Sequence, residues 1–106
     1  MSESYVDATL LEVLPDGTFR LQTEGEERVV RLDGMAPKQP LPAEYLAIAQ
    51  RFASSDRPWR LIMRAGDRSA PTRGQVQCFG WQDKSGDVWV DLRAVLVERG
   101  LADVAP

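Results

Sequence analysis

Along this chain apolar residues recur first at every second position, then at every third or fourth, then at every second again. The stretch "YVDATLLEVL" has strand composition and stops at "PDG", where Pro15 and Gly17 supply a turn. In "TFRLQT" the alternation places Phe19 and Leu21 on one face and Arg20 on the other. The tight connection "EGEE" leads into "RVVRLDGM", so residues 5–35 read as a three-stranded meander. After "APKQPLP" the period changes. Leu46, Ala49, Phe52 and Ala53, with Tyr45, fall at helical spacing and predict a helix over 42–54, stopped at "SSDRP". Strand character returns in "PWRLIMRAG", "GQVQCFGW" and "DVWV", the latter two joined by the turn "QDKSG". The closing "DLRAVLVERG" predicts a helix, with Asp91 as its N-cap and Gly100 where a C-terminal cap wants glycine.

These elements make one small α+β domain, mainly β, over residues 1–106. Their order suits a five-stranded Greek-key barrel of the OB type, with a helix between strands 3 and 4 and a C-terminal helix. The length allows a single buried core.

Composition narrows the chemistry. Hydrophobic residues make up 43% and charged residues 27%, as in ordinary globular domains. No apolar run approaches the roughly 20 residues that span a membrane. The start "MSESYVDATLLEVL" has neither a basic leader nor a cleavable apolar segment, so a cytoplasmic location is expected. A lone Cys78 excludes an internal disulfide and a cysteine cluster for zinc, and its strand context predicts a small buried side chain. Histidine is absent, which removes histidine triads, histidine metal ligands and the usual base near neutral pH. A net charge of −3 argues against coating nucleic acid by bulk charge. Arginine nevertheless far outnumbers lysine, and its planar fork suits phosphate, so the placement of the arginines matters more than their number.

Family likeness enters at the C-terminal end. "GDVWVDLRAVLVERGLADV" resembles the closing segment of the staphylococcal-nuclease-like (thermonuclease) family, in which a glycine and valine lead into a helix containing "LV", then "GLA" and valine. Upstream, "RGQVQCFGW" is similar to that family's arginine-glycine-led strand, "VVRLDGMAP" to its "RLxGxDAPE" segment, and "VLPDGTF" to its "VxDGDTV" turn. The segments occur in the family's order over nearly the whole chain. The opening "LLEVLPDGTFRL" alone also resembles the first hairpin of bacterial translation initiation factor one, another OB fold.

The nuclease likeness implies an OB-barrel fold and a phosphodiester site. Such a site uses carboxylates around a calcium ion, a glutamate acting on the attacking water, and two arginines on the phosphate. Both arginines match, as Arg31 and Arg73. The acids do not. Gly17 stands before Thr18, no aspartate separates Met35 from Ala36, and the glutamate after proline is replaced by Lys38. An ammonium repels calcium rather than ligating it. The resemblance therefore implies a site without catalytic residues, resident metal or cofactor, whose cationic grips on phosphate remain.

The expected function is binding of single-stranded DNA or RNA by a non-catalytic module. The candidate contacts are Arg31, Arg73, Lys38 and Arg60, with Trp59 to stack a base. Residues 57–73 add a basic band of Arg57, Arg60, Arg64, Arg68 and Arg73 against Asp67 alone. A plainer reading of "RPWRLIMR" has Trp59, Leu61 and Met63 facing inward and the arginines solvated. Two other functions stay open: a protein-interaction or structural module, which the acidic balance permits, and a divergent metal-dependent phosphodiesterase using Asp16 and Asp33. For Asp33 the simpler expectation is an ion pair with Arg31. Trp81 and Trp89 flank one hairpin and are expected to pair across it.

Overall fold

A computed structural model describes residues 3–53, 59–64 and 69–105. Strands β1 (Glu3–Val13), β2 (Phe19–Thr23) and β3 (Glu26–Leu32) form an antiparallel meander. A short β4 (Met35–Pro37) and helix α1 (Ala43–Ala53) follow, then β5 (Trp59–Arg64), β6 (Thr72–Asp83) and β7 (Gly86–Asp91). Helix α2 (Leu92–Glu98) and a short β8 (Ala102–Val104) complete the order. The fold is thus mainly β with two helices, as the hydrophobic pattern predicts.

The main sheet runs β3-β2-β1-β5-β6-β7, and β3 also pairs with β6 in parallel. Strands β3, β2, β1, β5 and β6 therefore form a closed circuit of pairings, with β7 added outside it. Strands β4 and β8 pair separately and antiparallel. Each of these two is only three residues long, too short for any periodicity to announce it.

Alternation explains the core. In β2, Phe19, Leu21 and Thr23 are buried while Arg20 and Gln22 turn outward. Val30 and Leu32 of β3, Leu61 of β5, and Val76 and Cys78 of β6 fill the same interior. Phe19 stacks on Tyr45 of α1 at 5.9 Å between ring centroids and meets Trp59 edge-on at 5.7 Å. Tyr45 also donates its hydroxyl to the Gly17 carbonyl at 2.5 Å. Burial, with the Asp16 charge behind it, pushes this phenol's pKa well up, so it stays a donor.

Helix α1 buries Tyr45, Ile48 and Ala49, whereas Leu46 is 39% exposed and is not part of the apolar stripe. Spacing from Tyr45 by three and four residues selects Ile48 and Ala49 and rotates Leu46 toward solvent. Helix α2 follows its sequence signals closely. The Asp91 carboxylate accepts from Arg93 N at 3.0 Å, and Gly100 closes the helix at φ 74°. Gly100 N bonds to Val97 O and Leu101 N to Leu96 O, which seals the last turn with Leu96 and Leu101 both buried.

The "PDG" turn is held from three sides. Leu14 O accepts Gly17 N at 2.9 Å, and the Asp16 carboxylate accepts both Thr18 N at 3.0 Å and Thr18 Oγ1 at 2.6 Å. Gly17 has φ 89°, and a Cβ there would lie 2.5 Å from Pro37 Cγ. Glycine is therefore needed for both backbone angle and space. Among the described residues no helix is long and apolar enough to cross a membrane.

Candidate functional site

The parallel pairing of β3 with β6 decides where the two key arginines lie. Its register is Val30↔Thr72, Arg31↔Arg73 and Leu32↔Gly74. Val30, Leu32, Thr72 and Gly74 are buried, so Arg31 and Arg73 project together from the outer surface, and both are exposed. Asp33 N continues the ladder by donating to Gly74 O at 2.9 Å. On the other side of β6, the antiparallel register with β5 runs from Arg60↔Gln77 to Met63↔Gly74. That register ends at Met63; continued by one residue, it would set exposed Arg64, the last residue of β5, beside Arg73. Across four adjacent strands the row thus reads Glu3, Arg64, Arg73 and Arg31, with Glu3 the β1 partner of Arg64.

Side chains directly opposite one another in a sheet have Cβ atoms about 5 Å apart, and like charges there repel. Among the described residues, no ion pair joins Arg31, Arg64 or Arg73 to a carboxylate. Asp16 is near enough for Arg31 to contribute to its chemistry. The Asp16 pKa is lowered, chiefly by the Thr18 hydroxyl and then by Thr18 N–H, with a smaller pull from Arg31. That carboxylate is already committed to its own turn. Asp33 lies in the turn after β3, exposed, and the expected Asp33–Arg31 ion pair is not formed. Among the described residues no group of three His, Cys, Asp or Glu side chains is arranged to hold a metal ion.

Other predicted contacts separate from this row. Lys38 is bound to Asp103, Nζ to Oδ1 at 3.1 Å, because β4–β8 pairing sets Ala36 opposite Asp103. Trp59 corrects the expectation that it stacks a base. It is 2% exposed, its ring lies edge-on to Phe19, and its Nε1 has no hydrogen-bond partner. Trp59, Leu61 and Met63 face inward, as the plainer reading of "RPWRLIMR" has it. Arg60 does face outward, but opposite Gln77, four residues along β6 from Arg73. There its Cζ sits 3.9 Å over the Trp89 ring and 5.8 Å from that of Tyr5. Arg57, Arg68 and Asp67 lie outside the described residues.

The expected Trp81–Trp89 pair does not form either. A bulge between Phe79 and Trp81 makes Phe79 the partner of Trp89, edge-on at 5.9 Å, and pairs Trp81 with Val88. The extra residue turns Trp81 to the opposite face, where it is 56% exposed.

Two features escape sequence reasoning: the place of Arg64 in the row, and Tyr5 beside Arg60. Alternation in "WRLIMR" puts positions 60, 62 and 64 on one face, but only the register with β6 sets Arg60 opposite Gln77 and leaves Arg64 at the end nearer Arg73. Compared with protein-family models and with curated proteins, the chain matches none.

Proposed function

We propose that this chain is a non-catalytic, nuclease-like OB module that binds single-stranded DNA or RNA through Arg31 and Arg73. One observation carries the reading. Two exposed arginines stand in register on parallel strands, with no carboxylate partner among the described residues. Guanidinium groups so placed attract an anion that can bridge them, and the phosphate of a nucleic-acid backbone meets that demand with charge-assisted pairs.

The OB reading is supported by a meander that precedes the first long helix and a circuit closed by the parallel β3–β6 pairing. Staphylococcal-nuclease-like ancestry is proposed on the motif order together with that circuit. Binding rather than hydrolysis is favoured because Lys38 replaces an acid and is tied to Asp103, while the Asp16 carboxylate is spent on Thr18.

The test is fluorescence anisotropy with labelled single-stranded DNA and RNA over a salt series. Affinity is expected to fall steeply, with log K dropping about 0.7 per log unit of salt for each phosphate neutralised. Arg31→Ala and Arg73→Ala should each weaken binding. No binding at low salt would remove this function and leave a protein-interaction module. The same oligonucleotides should survive calcium, magnesium or manganese. Metal-dependent cleavage that disappears in Asp33→Asn would replace the proposal with a phosphodiesterase.

A further inference from the structure

A second cluster lies on the same outer face, along β6 from the arginine row. Tyr5 of β1 is opposite Ile62 of β5, which is opposite Gln75 of β6. The next row reads Asp7, Arg60, Gln77 and Asp91 across β1, β5, β6 and β7. Beyond it Phe79 faces Trp89. Trp89 is braced by the Phe79 edge and in turn carries the Arg60 guanidinium on its face. Arg60 also lies toward the ring of Tyr5, and Tyr5 remains 64% exposed.

We infer that Tyr5 and the Trp89-backed Arg60 form a base-stacking subsite for the same strand whose phosphate is held by Arg31 and Arg73. The inference rests on the phosphate reading above. An aromatic ring beside a guanidinium plane accepts any base, since every base offers a π-face. Arg60 is ordered by Trp89 before a ligand arrives, so little side-chain freedom is lost on binding.

Charge assigns the two ends. Asp7 and Asp91 flank the Arg60 row and disfavour a phosphate there; in the arginine row Glu3 is opposite Arg64 at the β1 end, while Arg31 and Arg73 are opposite each other. The strand thus places phosphate on the arginines and an uncharged base on Tyr5 and Arg60. Uncharged Ile62 and Gln75 lie on the face between the two rows. From Arg73 to Gln77 the strand rises about 13 Å. A single nucleotide does not cover that separation, and an oligonucleotide of about four does.

The experiment compares a labelled oligothymidylate with an abasic strand of equal length and charge, at low salt, by anisotropy. The base-bearing strand is expected to bind about tenfold more tightly. Tyr5→Ala should weaken it roughly five- to hundredfold and leave the abasic strand unchanged, while Tyr5→Phe keeps the affinity. Arg73→Ala should weaken both strands. If both strands bind equally well and with steep salt dependence, the phosphate reading stands and the stacking subsite is wrong. If Tyr5→Ala weakens both strands alike, Tyr5 does not contact a base and the subsite is likewise refuted. If neither strand binds, the phosphate reading fails and the subsite with it.

Discussion

Replacing Arg73 with glutamine is expected to stabilise this protein, although the change removes a charge from a folded surface. Arg73 stands beside Arg31 in the β3–β6 register, and Arg64 follows one step past Met63↔Gly74 on its other side. Guanidinium groups about 7 Å apart in water-like surroundings repel by about 0.6 kcal/mol per pair. Two such pairs put the relief near 1 kcal/mol, or about 5 °C in Tm for a domain of this size. Glutamine keeps most of the side-chain length, so the comparison isolates the charge. At about 1 M salt the Debye length shrinks to about 3 Å and the gain should vanish. Arg20→Gln supplies the opposite control. Arg20 lies between Glu12, at 3.2 Å, and Glu27, and its loss should lower the urea midpoint slightly at low salt. Urea unfolding followed by tryptophan fluorescence, at low and high salt, gives both signs in one series. If Arg73→Gln destabilises like Arg20→Gln, or if its gain persists at high salt, the row is not an uncompensated cluster and the case for an anion site collapses.

Three other expectations rest on separate features. Gly17→Ala should lower stability by about 2 kcal/mol, since its backbone angle is left-handed and the new methyl would meet the Pro37 ring; an unchanged urea midpoint would mean that this turn does not pack on β4. Cys78 is fully buried, and desolvation, with Asp91 behind it, pushes its thiol pKa up to about 12. Its labelling by a thiol reagent near pH 8 should therefore follow global unfolding, and rapid labelling of the native protein would contradict this packing. The lowered Asp16 pKa adds stability that is present above the ordinary carboxylate value and lost as the pH falls through the folded one. Asp16→Asn should flatten the acid limb below about pH 4, measured as unfolding free energy against pH; an identical limb would show that the Thr18 hydrogen bonds do not favour the charged form.

What could be read from the chain, and what could not, follows the range of the interactions involved. The α2 boundaries were legible because capping is local: Asp91 and Gly100 lie within a turn of the groups they satisfy. Phe19 and Leu21 were legible because a half-buried strand repeats every two residues. Leu46 was misplaced because several apolar residues on α1 permit more than one stripe, and packing through Tyr45 on Phe19 selects one of them. Trp81 was paired wrongly because a single bulge residue, invisible to alternation, reverses the face. Lys38 and Asp103 lie 65 residues apart, joined only by the brief β4–β8 pairing. At the candidate site, the identity of Arg31 and Arg73 came from the motifs, but their adjacency and the addition of Arg64 are matters of register.

Register also explains why a like-charge row survives folding. The inward neighbours Val30, Leu32, Leu61 and Val76 are essentially fully buried, each worth about 1.5–3 kcal/mol of transfer free energy. Slipping either strand by one residue would turn that apolar set outward, a far larger penalty than the repulsion of about 1 kcal/mol between guanidinium groups. Packing thus dictates that positions 31, 64 and 73 point outward, but it does not require arginine at any of them. Elsewhere Arg20, Arg28, Lys38, Arg93 and Arg99 each have a carboxylate within ion-pair distance. The chain has acids to spare, at a net charge of −3, and Glu3 stands opposite Arg64, yet among the described residues no ion pair reaches Arg31 or Arg73. On the proposed reading, an anion from solution neutralises Arg31 and Arg73. Because the buried residues already fix the strands, such an anion meets a preformed site and need not reorder the sheet to bind.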